Sequence, residues 1–97
     1  MDSLHINVLN EHVTEIFEQF GVQKIGIFGS VVRGENTPES DIDILVEFSP
    51  GKKTFDNYFG LKQYLESLYG KRVDLVTTDG LHPYIRKNVL REVVYAT

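Results

Sequence analysis

The chain has 97 residues, a formal charge of −4 and no cysteine. That length gives a single domain, residues 1–97, with room for one compact core but not for a separate acceptor-binding module. An acidic balance without a basic tract disfavours direct binding of nucleic acid. The lack of thiols excludes disulfide and zinc-thiolate roles, and with no early apolar run long enough for a signal peptide or membrane span, a cytoplasmic location is expected.

Leu9, Val13, Ile16, Phe17 and Phe20 recur at helical spacing and predict an amphipathic helix over residues 5–20. Gly21 closes it. Lys24–Phe28 reads as a short strand running into Gly29-Ser30, with Ser30 as N-cap of a brief helix through Arg33. Residues 34–40 form a polar loop, Asp41–Phe48 a second strand, and Pro50-Gly51-Lys52-Lys53 a turn. Tyr58, Leu61, Leu65 and Leu68 mark a second long helix that Gly70 ends. Arg72–Val76 alternates with period two and gives a third strand, followed by a loop over residues 77–81. His82-Pro83 opens a last helix whose buried stripe is Ile85, Val89 and Val93 or Leu90. The order α-β-α-β-α-β-α predicts an α/β domain with helices covering a small sheet on one side.

The chemistry gathers at three points. Asp41 and Asp43 stand one residue apart on a strand, so their carboxylates project together while Ile42, Ile44 and Val46 project the other way. Asp74 stands between Val73 and Leu75, and joins that pair if the third strand lies beside the second. Like charges about 4 Å apart at an effective dielectric near 20 repel by roughly 4 kcal/mol per pair, so such a cluster calls for a cation or for raised pKa values. Mg²⁺ suits it, because it takes carboxylate oxygens and shares its shell with substrate phosphates. Two such ions could activate an attacking hydroxyl and stabilise a leaving pyrophosphate. Gly29-Ser30 is the third point: the glycine permits close approach, and the amides opening the helix favour phosphate. Arg33, one turn on, can reach the same phosphates.

Taken singly these signals are weak. A lone Asp-x-Asp is commonly a solvated strand end, and a lone arginine a surface residue. The ordered set is specific. The remaining charged and aromatic residues carry less. His5, His12 and His82 share no metal-ligand spacing and read as surface or capping residues. Arg86, Lys87 and Arg91 form a basic helix face, either solvated or facing an acidic partner. Among Tyr58, Tyr64, Tyr69 and Tyr84, some pack inward and others suit an interface.

Gly29-Ser30, ten residues, then Asp41-Ile42-Asp43 resembles the signature of the polymerase-β-type nucleotidyltransferase superfamily, most of all its minimal nucleotidyltransferase (MNT) group. The likeness extends from Ile27-Phe28 through Arg33-Gly34 to Val46, and Lys71–Val76 resembles the strand of the third carboxylate. The resemblance implies a nucleotidyltransferase fold with a small mixed sheet. It implies Mg²⁺ held by Asp41, Asp43 and Asp74, and ATP as substrate with its triphosphate at Gly29, Ser30 and Arg33. It also implies a hetero-oligomeric pairing with a HEPN-domain toxin, for which the MNT member is the antitoxin that transfers AMP to a toxin tyrosine. The lack of an acceptor domain agrees with an acceptor that is itself a folded protein. Neutralisation by binding alone, and transfer to a small molecule, are the alternatives.

Overall fold

A computed structural model describes residues 3–97. In chain order the elements are α1 (Ser3–Phe20), β1 (Val22–Phe28), α2 (Ser30–Arg33), β2 (Ile42–Phe48), α3 (Phe55–Tyr69), β3 (Val73–Thr77), a 3₁₀ turn (Thr78–Gly80), α4 (Pro83–Glu92) and β4 (Val94–Tyr95). The strands lie side by side in the order β3-β2-β1-β4. β1 is antiparallel to both β2 and β4, and β2 is parallel to β3. The crossover through α3 is what allows the parallel pair.

Alternation along β2 assigns the two faces of the sheet. Ile42, Ile44 and Val46 join Leu9 and Ile16 of α1 and Leu61 and Leu65 of α3 in the main core. Leu45 points the other way, into a smaller cluster with Leu81 and Val89 beneath α4. α1 and α3 therefore cover one face completely, while α4 covers only part of the other. The uncovered part lies at the start of β2 and β3. Asp43 and Asp74 stand there, where a covering helix would have stripped their carboxylates of water at high cost.

Several boundaries differ from the sequence reading. β1 starts at Val22 because a bulge between Val22 and Lys24 absorbs an irregular start to the β2 pairing. The N-cap of α2 is Gly29, at φ 77°, so Ser30 is the first helical residue and not the cap. In α4 only Val89 is buried. Ile85 is 50% and Leu90 39% exposed, because the helix meets the sheet along one narrow line. His5 and His12 are half-buried rather than on the surface, stacked or edge-on against Tyr69 and Tyr64 where α1 meets α3. His82 is the cap expected of it, its Nδ1 accepting the Tyr84 amide at 3.2 Å. Among the described residues no helix is long and apolar enough to cross a membrane.

β4 escaped the sequence reading, being only two residues long. It pairs Val94 with Ile27 and Tyr95 with Gly26, and the Ala96 amide donates to the Ile25 carbonyl at 2.8 Å. Gly26 makes this approach possible: a Cβ there would fall 2.7 Å from the Val94 carbonyl oxygen and 2.8 Å from Val93 Cγ2. Gly26→Ala is therefore expected to destabilise the protein by about 1–3 kcal/mol, as overpacking does. Urea unfolding checks it, and an unchanged midpoint would contradict the close β1–β4 contact.

Candidate active site

Asp43 is the second residue of β2 and Asp74 the second of β3. The parallel register sets them directly opposite each other. Their neighbours Ile42 and Val73, also paired, are buried in the main core, so the two aspartates share the opposite face. Asp41 precedes β2 and is exposed. With Arg72, Asp74, and Lys62 and Glu66 of α3, it lines an open cavity of about 380 Å³ at the β3 edge. The Glu66 carboxylate accepts the Val73 amide at 3.0 Å and so fixes the start of β3. The sheet thus brings Asp43 and Asp74 together, with Asp41 at the rim.

The electrostatics bear this out. The Asp43 carboxyl is pushed above its usual value of 3.8, first by burial, then by the charges of Asp74 and Asp41. The Arg33 charge and the Ser30 backbone amide pull it back down. All four groups therefore act on one carboxylate. Among the described residues no three acidic or histidine side chains stand close enough to hold a metal ion as they are. The donor set is nonetheless of the right kind: hard carboxylate oxygens from a rigid strand pair, one of them held above its usual pKa by burial and by its acidic neighbours.

The Gly29-Ser30 turn abuts the same carboxylate. Gly29 is buried, and a Cβ there would collide with Asp43 Oδ2. Its φ of 77° is strained for any other residue. The turn is bound on its other side by a residue the sequence did not single out. Glu92, at the end of α4, accepts the Gly29 amide through Oε2 and Arg33 Nη1 through Oε1, both at 2.8 Å. Arg33 also donates through Nε to Glu35 at 2.6 Å. Glu35 and then Glu92 hold the guanidinium firmly protonated. One signal for Glu92 did exist: a carboxylate in the last turn of a helix opposes the dipole, and needs a partner from elsewhere.

A glycine turn is thus set against paired strand carboxylates on the open face of a small mixed sheet. The sequence model of the nucleotidyltransferase domain matches residues 9–96, and the chain belongs to that family. A relative from Thermococcus cleftensis, the protein adenylyltransferase MntA, is 49% identical over 92% of this chain and 89% of its own length. A solved minimal nucleotidyltransferase is 40% identical and superposes with a TM-score of 0.81, covering 97% of this chain and 95% of that one. The MNT antitoxin complex with a tri-AMPylated HEPN toxin from Shewanella oneidensis shares the fold at a TM-score of 0.65 and 21% identity, over 95% of this chain and 73% of the matched one.

The raised Asp43 pKa has a definite sign. Because the folded state binds that proton more tightly than the unfolded chain, stability falls as pH rises from 3.8 through the raised value. Asp43→Asn removes the penalty. With divalent cations chelated, the variant is expected to melt above the parent near neutral pH, with the gap closing below pH 3.8. Thermal melts across that range check it.

Proposed function

We propose that this protein transfers AMP from ATP, with Mg²⁺, to a tyrosine of a cognate HEPN-domain toxin and so acts as its antitoxin. The observation that carries the reading is the Asp43–Asp74 register pair on the open face beside Gly29. The names of the relatives support the acceptor class: one is a protein adenylyltransferase, another an MNT antitoxin bound to an AMPylated toxin.

Asp41, Asp43 and Asp74 would hold the metal, with the exposed Asp41 side chain rotating in from the rim. Mg²⁺ when bound would neutralise the triphosphate and stabilise the charge that builds up in an in-line displacement. Asp43, half-buried between Gly29 and Asp74, serves the nucleotide side. Asp74 is exposed on the edge strand β3, where a folded partner can reach it, and serves the acceptor side. There the tyrosine oxygen attacks the α-phosphorus, its proton passes to the Asp74 carboxylate, and the bond to pyrophosphate breaks. Gly29 lets the turn close on Asp43, and Ser30 and Arg33 supply donors to the phosphates.

Masking without chemistry is the second reading. It is favoured by the exposed aromatic side chains of Phe55, Phe59 and Tyr84, at 76%, 45% and 87%, which suit a protein contact. Mixing the protein with the HEPN-domain product of its neighbouring gene, ATP and Mg²⁺ separates the two. A mass gain of AMP or its multiples on the partner is expected. Asp41→Ala, Asp43→Ala and Asp74→Ala should each reduce transfer by roughly a hundred-fold or more, with unchanged circular dichroism. Equal transfer by these variants, or full neutralisation without ATP and Mg²⁺, would refute the catalytic reading.

A further inference from the structure

Glu92 bridges both ends of α2, from the N-cap amide at Gly29 to the last residue, Arg33. It does so across 63 residues of chain, and its side chain is only 21% exposed. Its backbone is fixed too, because β4 begins two residues later and pairs with the strand that leads into Gly29. The other partner of Arg33 is different in kind. Glu35 lies two residues away and is 62% exposed, and ion pairs of that sort contribute little. Of the two carboxylates, Glu92 is the one that sets where the guanidinium points. Arg33 has five N–H donors. With Nε given to Glu35 and one Nη1 hydrogen to Glu92, Nη2 makes no bond among the described residues and is left for a further anion.

We infer that Glu92 is a positioning residue for the nucleotide: it locks the Gly29 turn and aims Arg33 so that the remaining guanidinium edge meets the triphosphate. The inference rests on the nucleotidyl-transfer reading above and adds a residue to it. Glu92 keeps both bonds when the phosphates arrive, because giving them up would leave a mostly buried carboxylate unpaired.

The test uses the full chain with its toxin partner and five proteins: the parent, Glu92→Gln, Glu92→Asp, Arg33→Ala and the Arg33→Ala, Glu92→Gln double variant. Glutamine keeps the size and one acceptor but removes the charge. The dissociation constant for AMP-PNP with Mg²⁺ and the KM for ATP are both expected to rise roughly ten-fold in Glu92→Gln, the weight of one charge-assisted hydrogen bond. The kcat at saturating ATP should change far less. In the Arg33→Ala background Glu92→Gln should cost clearly less than it does alone, because the part of its effect that passes through Arg33 is already gone and only the Gly29 bond remains. Glu92→Asp, which keeps the charge but shortens the reach, should fall between parent and Glu92→Gln. An unchanged AMP-PNP affinity, or fully additive effects in the double variant, would overturn the inference. Tighter AMP-PNP binding by Glu92→Gln would overturn it as well, by showing that Glu92 competes with phosphate. Failure of the parent to transfer AMP would count against the parent reading alone, since the AMP-PNP arm still judges Glu92.

Discussion

The parallel pairing of β2 with β3 puts two like charges side by side, and much of the molecule is arranged around that constraint. Asp43 and Asp74 occupy one rung of the ladder. Like charges placed opposite each other weaken a sheet, so the flanking rungs must supply the stability. They do: Ile42 with Val73 and Ile44 with Leu75 are paired and buried on the reverse face. The same alternation that buries those side chains forces the aspartates outward. α4 stops over Leu45 and leaves that end of the sheet uncovered, with Asp74 exposed and Asp43 half-buried. Gly29, lacking a Cβ, lets the neighbouring turn come up against Asp43. A repulsive pair is thus held in place by apolar packing it takes no part in.

Much of this was legible in the sequence because it follows from local rules. Period-two alternation around Asp43 and Asp74 gave the face on which each stands, and helical spacing of Leu9, Ile16, Leu61 and Leu65 gave the core side of α1 and α3. What alternation could not supply was register. Nothing in the spacing of residues 41–43 and 74 says that the two strands are neighbours, or that residue 43 rather than 41 meets residue 74. The sheet decides that, and Asp41 ends at the rim in consequence.

The C-terminal segment was the least legible part. A strand of two residues has no periodicity to detect, and the exposed Ile85 and Leu90 mimic a buried stripe that α4 does not have. Ser30 read as a cap because serine favours that position, yet Gly29 adopts the positive φ that ends β1 and takes the cap itself. The bond from Glu92 to the Gly29 amide spans most of the chain. It exists only once β4 has docked on β1, so it belongs to tertiary structure and left just one local trace, an acid at the wrong end of a helix dipole.

The molecule offers a competing concavity. A cavity of about 520 Å³ lies at the far ends of β2 and β3, lined by Glu47, Ser49, Lys53, Thr77, Asp79 and Arg86 among others. Its cations are already engaged within its own wall: Lys53 pairs with Asp79 at 2.8 Å, and Arg86 donates to the Thr78 carbonyl at 2.8 Å. An NMR titration of the backbone amides with AMP-PNP and Mg²⁺ sets the two ends of the sheet against each other. Shifts centred on Gly29, Ser30, Asp43 and Asp74, with Lys53, Thr77 and Arg86 undisturbed, are the expected result. Shifts centred on Lys53, Thr77 and Arg86 would contradict the account.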